Sequence, residues 1–202
     1  MVDTGIGRLL IASLHQAIGE VSPTRLDFYE HWLTPTGMRD GRMGLAPFGA
    51  VLSFLRREGP DTYGRVMAHA GAYSADWAFA EISSVERGIV QSLPVGLRAR
   101  GALGFSRRLV RATFDRSRAT VRLRRGSGSF EIRDSIFCTL REAAPDPMCG
   151  FYAAAVARFL VLFHIDADVT VRACRASGAP GCTLDVTIRG ALSETPAAAE
   201  AA

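Results

Sequence analysis

The sequence has no lysine and no asparagine, so all 24 of its basic residues are arginine. Without lysine, a phosphate-binding loop ending in Gly-Lys-Ser/Thr is excluded. Long apolar runs are also missing: the most apolar stretch, residues 151–163, is too short to span a bilayer and contains Arg158. Asp3 precedes any apolar segment, a pattern unlike that of a signal peptide. We therefore expect a cytoplasmic protein without a membrane span.

Catalytic motifs are scarce as well. A Gly-rich run at residues 125–129 falls between two predicted strands, whereas a dinucleotide fingerprint lies between a strand and a helix. Neither a nucleophile elbow nor a metalloprotease histidine pair occurs. A nucleophilic Cys138 would need a histidine partner, and the spacing identifies none. The sequence favours a binding protein over an enzyme.

Two kinds of periodicity divide the chain. Apolar residues recur at helical spacing through most of residues 1–114, with the first helix expected over residues 4–20. Residues 119–124 then alternate between apolar and polar, residues 126–129 predict a turn, and residues 130–133 predict a second strand that residues 135–140 could extend. A long apolar helix from Cys149 and a hairpin around Gly178 follow. This order predicts one α+β domain over residues 1–190. Residues 1–114 are mainly helical, and residues 115–190 form a ββαββ unit with a small antiparallel sheet. We expect residues 191–202 to be a disordered tail.

The spacing of three cysteines carries a family resemblance. Cys149-Gly-Phe-Tyr opens the apolar helix, Cys174 lies in the first hairpin strand, and Cys182 begins the second. This pattern resembles the 4-vinyl reductase (Bet3-like) domain family. The segments Ser92–Arg100 and Arg111–Arg118 bring the likeness nearest to the bacteriochlorophyll 4-vinyl reductase group. The resemblance covers about residues 60–190.

The resemblance implies a fold, a ligand class and a metal site. It implies a helical layer against a twisted sheet, often as a homodimer, with a pocket for a hydrophobic or tetrapyrrole-like molecule between the two layers. In hydrocarbon-sensing relatives, three cysteines and a glutamate hold structural zinc. Here Cys149, Cys174 and Cys182 match the three thiolates, but Val171 stands where the acid belongs. Three thiolates leave tetrahedral zinc one ligand short.

The missing fourth ligand leaves two interpretations open. Cys138, His164, Asp166 or Asp168 could complete a zinc site, although none has a characteristic spacing. Alternatively, the cysteines fill the hairpin core, since free cysteine is among the most buried residue types.

A ligand pocket would need apolar walls and a few polar groups. Tyr73 and Trp77 are one helical turn apart, beside a line of small residues from Gly64 to Ala75 that favours close helix packing. His69 on the same helix could serve as an axial ligand for a haem or chlorophyll. The predicted ligand-binding residues are Tyr73, Trp77, His69, Phe105, Phe114 and Tyr152.

Charge is concentrated between Arg98 and Arg125, where ten arginines accompany one acid, Asp115. No nucleic-acid-binding motif goes with them, so a nucleic-acid partner is not expected. Three hypotheses result: a carrier or sensor for a hydrophobic or tetrapyrrole-like ligand, a vinyl reductase that uses an external reductant, and an interaction module that docks a protein on the arginine-rich helix.

Overall fold

The helices come first in the chain and the main sheet comes last. The computed structural model describes residues 5–33, 42–139, 144 and 146–192. Within these ranges the helices are α1 (Arg8–Val21), α2 (Leu26–Glu30), α3 (Leu45–Arg57), α4 (Pro60–Ala80), α5 (Ser84–Gln91), α6 (Val95–Thr113) and α7 (Gly150–Leu162). The strands are β1 (Ile6–Gly7), β2 (Arg42–Met43), β3 (Arg118–Arg124), β4 (Ser127–Arg133), β5 (Ile165–Ala173) and β6 (Cys182–Ala191).

Local signals set where the helices begin. Helix α4 starts with Pro60, directly after Gly59, because proline lacks the N–H that a first helical turn leaves unpaired. Helix α5 is capped by Ser83, whose hydroxyl oxygen accepts a hydrogen bond from the Glu86 N–H at 3.2 Å. None of the described helices has the length and apolar character needed to cross a membrane.

The main sheet has the order β3-β4-β6-β5, and every neighbouring pair is antiparallel. Its residues alternate between a buried face and an open face. Phe130, Leu184 and Val186 lie on the buried face. On the open face, Arg189 pairs with Asp166 and Asp168 at 3.3 and 2.9 Å. The predicted α+β class, with helices on one side of a small antiparallel sheet, is confirmed.

Helix α7 lies at the centre of the fold, between α4 and the sheet. Its contact with α4 is close, because a Cβ on Gly71 would lie 2.2 Å from the carbonyl oxygen of Phe151. The predicted close packing of the small-residue line therefore holds at Gly71. It does not hold at Gly64, which is exposed and has nothing within 4 Å of a Cβ position.

Three predicted boundaries change. The first helix begins at Arg8 and not at residue 4, because Ile6–Gly7 pairs as a strand with Arg42–Met43. Residues 135–140 do not extend β4: Asp134 takes a left-handed conformation (φ 52°), and a 3₁₀ turn follows at Ile136–Cys138. Strand β6 includes Ala191, the first residue of the predicted tail; residues 193–202 of that prediction lie outside the described part of the chain.

Candidate functional site

Four cysteines meet where the sheet joins α7. Cys138 ends the 3₁₀ turn after β4, and Cys149 is the residue before the first turn of α7. Cys174 directly follows β5, and Cys182 is the first residue of β6. All four are buried. We call these residues the thiol cluster.

The sulfur positions fit one tetrahedral metal ion. The Cys138 sulfur lies 3.4 Å from that of Cys149, 3.5 Å from that of Cys174 and 3.4 Å from that of Cys182. All four sulfur atoms lie within 4.8 Å of one another. Zinc–sulfur bonds of about 2.3 Å in a tetrahedron would place the sulfurs about 3.8 Å apart. This spacing suits a single ion and leaves no room for a multi-iron cluster.

Hydrogen bonds within the thiol cluster favour negative charge on some of the sulfurs. The pKa of the Cys174 thiol is lowered because the thiols of Cys138, Cys149 and Cys182 donate hydrogen bonds to it. The pKa of Cys138 is lowered to about 7, chiefly by its hydrogen bond with Cys149. In contrast, the hydrogen bond to Cys138 raises the pKa of Cys149. Ionising all four buried thiols would require a cation among them.

Backbone N–H groups also favour negative charge on two of the sulfurs. The Met148 N–H donates to the Cys174 sulfur at 3.3 Å, and the Arg175 N–H donates to the Cys182 sulfur at 3.5 Å. Such outer contacts orient thiolate ligands and stabilise their charge. Tyr63 of α4 donates from its hydroxyl to the Met148 carbonyl at 3.2 Å, which ties the helical layer to the loop beside the cluster.

Of the four candidate fourth ligands, the structure brings Cys138 to the other three cysteines. His164 lies just beyond the opposite end of α7 from Cys149, roughly 20 Å away along the helix. It lines a small pocket with Gln91, Arg98 and Leu192. Asp166 and Asp168 are engaged by Arg189 on the open face of the sheet.

The predicted ligand-binding residues do not converge on one site. Tyr73 and Trp77 stack with ring centroids 5.8 Å apart. Trp77 is exposed on α4, whereas Tyr73 is half-buried and its hydroxyl donates a hydrogen bond to the Glu20 carboxylate of α1. His69 is exposed there, with its Nδ1 3.2 Å from the Glu20 carboxylate. Tyr152 and Phe114 are core residues, and Tyr152 is hydrogen-bonded to Thr113 at 3.2 Å.

Phe105, the sixth of these residues, lines a groove between α5 and α6. The groove has a volume of about 510 Å³, within the usual range for small-molecule sites. The sequence predicted Phe105 as a ligand-binding residue and the arginines of the same helix as a docking surface, but it gave no sign that both line one groove against α5. We call it the α5–α6 groove; its lining residues are Glu86, Ile89, Val90, Gly101, Gly104, Phe105, Arg107, Arg108 and Arg111.

Comparisons with known proteins support the fold. No protein-family model matches the chain, and no curated protein matches its sequence. Among solved structures, the chain is similar to the phenol-responsive sensory domain of the transcription activator PoxR with phenol. The TM-score is 0.50 and the identity 19%, over 75% of this chain and 82% of that chain.

Two further structures have a similar fold. One is a trafficking protein particle complex subunit 3 from Naegleria fowleri, covalently bound to palmitic acid (TM-score 0.55, 11% identity, 74% of this chain and 95% of that chain). The other is an H-NOX protein from S. oneidensis in the Fe(II)NO ligation state (TM-score 0.56, 10% identity, 92% of this chain and 100% of that chain).

These likenesses show that the chain has an α+β fold shared with these solved structures. It is consistent with the Bet3-like part of the predicted resemblance. Neither a family model nor a sequence match supports the narrower 4-vinyl reductase assignment.

Proposed function

We propose that this chain is a small-molecule-binding domain, a carrier or sensor, stabilised by a structural zinc ion. The observation that supports binding most directly is the α5–α6 groove, which combines a suitable volume with an apolar floor. Phenol and palmitic acid in proteins of similar fold make a hydrophobic ligand a consistent choice. We also propose a homodimer, on the basis of the family resemblance.

The thiol cluster has the donors that zinc requires. Its four sulfur ligands would satisfy tetrahedral coordination and leave no open position, which is the arrangement of structural zinc sites. Zinc would hold the 3₁₀ turn, the start of α7 and the β5–β6 hairpin together. Its role would be to stabilise the fold, because a closed site cannot activate water or substrate.

A tetrapyrrole ligand has weaker support. The H-NOX protein of similar fold points toward a haem-type ligand. However, His69 faces solvent beside Glu20, and the space between helices and sheet is occupied by buried side chains such as Phe130 and Tyr152. A reductase role would require turnover of a divinyl chlorophyllide with NADPH or ferredoxin, which the binding proposal does not expect.

Native mass spectrometry of the full chain, purified without chelators, tests the proposal. We expect a homodimer whose mass includes one zinc ion and one bound small molecule per chain, and a monomer would contradict the proposed dimer. A thermal-shift panel of alkyl and aryl alcohols, carboxylates, phenols and haem should then identify a stabilising class. Ligand at 100 times its Kd should raise the Tm by roughly 5–10 °C.

The two parts of the proposal can fail separately. A zinc-containing protein with no bound molecule, and no compound that shifts its Tm, would contradict the binding role. A protein that binds ligand but contains no zinc would contradict only the structural metal. If the purified protein contains iron in place of zinc, the four thiolates hold iron, the other ion that tetrahedral sulfur sites accept.

A further inference from the structure

The α5–α6 groove has an apolar floor that is partly exposed. Ile89 and Val90 contribute from α5. Phe105 of α6 contributes little open surface, because it is only 8% exposed and the Arg108 guanidinium lies over its ring. Ile89 is the most open part of this floor and is 59% exposed. The floor is continuous with the interior, because Phe105 stacks on Phe163 with ring centroids 5.5 Å apart.

A glycine keeps the groove open. Gly104 is half-buried, yet nothing lies within 4 Å of the position that its Cβ would occupy. A side chain at this position of α6 would therefore extend into empty space in the groove. By contrast, a Cβ on Gly101 would lie 2.7 Å from a methyl group of Val90, so α5 and α6 already touch one turn earlier.

The rim of the groove is positively charged. Arg107, Arg108 and Arg111 line it together with one acid, Glu86. The Arg108 guanidinium lies 4.8 Å from the centre of the Phe105 ring and 3.5 Å from Glu86. Arg111 has no ion-pair partner among the residues that the structure describes. Three cations against one anion favour a ligand that carries negative charge.

We propose that the α5–α6 groove binds an amphipathic anion, a carboxylate on an alkyl or aryl body. The apolar body would lie over Ile89 and Gly104, and the carboxylate would be bound by Arg108 and Arg111. Guanidinium groups bind carboxylates through paired, charge-assisted hydrogen bonds. This inference rests on the proposed small-molecule-binding function and names the ligand class and its site.

Calorimetric titration of the full chain tests the inference with three probes, each kept below its micelle concentration or, for the alcohol, its solubility limit. Laurate, dodecanol and dodecyltrimethylammonium share one alkyl chain and differ in head-group charge. We expect laurate to bind, dodecanol to bind at least roughly tenfold more weakly, and the cation not to bind, since charged hydrogen bonds supply the difference. Arg108→Gln and Arg111→Gln should each weaken laurate binding roughly tenfold while leaving dodecanol unaffected.

A matched pair of glycine variants locates the site. Gly104→Leu should abolish laurate binding because its side chain fills the groove. Gly96→Leu, on the same helix, also meets nothing within 4 Å but lies outside the groove, so it should bind laurate like the parent protein. Equal far-UV circular dichroism and Tm values for the two variants would exclude a folding effect.

Several outcomes would overturn the inference. Laurate binding that survives Gly104→Leu, or dodecanol binding as tight as laurate, would refute the site or the anionic class. If laurate does not bind while a neutral molecule does, the small-molecule-binding proposal holds and only the preference for an anionic ligand is contradicted. If no probe binds and no molecule co-purifies, both proposals fail. If the arginine variants lose a protein partner and laurate does not bind, the groove is a protein-docking surface.

Discussion

Replacing any one cysteine of the thiol cluster with alanine is expected to release zinc and lower the free energy of unfolding by on the order of 5 kcal/mol. The reason is that zinc binding contributes directly to folding free energy, and three thiolates cannot complete a tetrahedral site. Zinc content by mass spectrometry and urea unfolding followed by circular dichroism measure the two effects. Parent protein with well under one zinc per chain would contradict the site.

Cys138 allows the sharpest version of this experiment. Cys138→Asp supplies a carboxylate that can bind zinc, whereas Cys138→Ala supplies no ligand. If Cys138 binds metal, the aspartate variant should retain more zinc and be the more stable of the two. If Cys138 only fills the core, the order should reverse, because an unpaired buried carboxylate costs more than a small cavity. Ser135→Ala is a control: its hydroxyl lies 3.6 Å from the Cys149 sulfur, and all four thiols remain.

Gly71→Ala is expected to destabilise the protein by about 3 kcal/mol, a large effect for one added methyl group. Its Cβ would lie 2.2 Å from the Phe151 carbonyl oxygen and 3.0 Å from the Cβ of Ala154. Both obstacles belong to α7, so α4 and α7 would have to separate at the centre of the fold. Urea unfolding at constant m-value measures the change.

Gly64→Ala is the matched control on the same helix. Nothing lies within 4 Å of its Cβ position, so alanine should stabilise α4 by up to about 1 kcal/mol through its higher helix propensity. Opposite signs at the two glycines would confirm that close packing, and not helix propensity, sets the cost at Gly71. Equal effects at both positions would contradict the close α4–α7 contact.

Most of the helices and strands could be predicted from local sequence patterns. The period of apolar residues identified the helical first half, and the alternation at residues 119–124 with the turn at residues 126–129 identified the first hairpin. The prediction failed at residues 135–140, because the left-handed conformation of Asp134 ends β4 and turns Cys138 toward the other cysteines. A single non-glycine residue in that conformation gives no periodic signal.

The candidate site was only partly predictable for the same reason. Cys149, Cys174 and Cys182 follow a spacing that the family resemblance recognises, but Cys138 does not. Cys138 reaches the other three cysteines only because the chain forms a 3₁₀ turn at Ile136–Cys138. The groove residues were visible as an amphipathic helix rich in arginine, yet its ligand-sized space depends on how α5 lies against α6. The aromatic residues Tyr73 and Trp77 were predicted to form a pocket wall; the structure stacks them beside α1, with Trp77 exposed and Tyr73 half-buried.

The sequence by itself determined the order of elements and the α+β class, because these depend on contacts between near neighbours in the chain. Three of the four clustered cysteines came from the family resemblance. Only the tertiary structure decided the fourth cysteine and the open groove. Cys138 and Cys182 are 44 residues apart in sequence and 3.4 Å apart in space. Such a meeting depends on the packing of β4, β6 and α7 together, which no local spacing encodes.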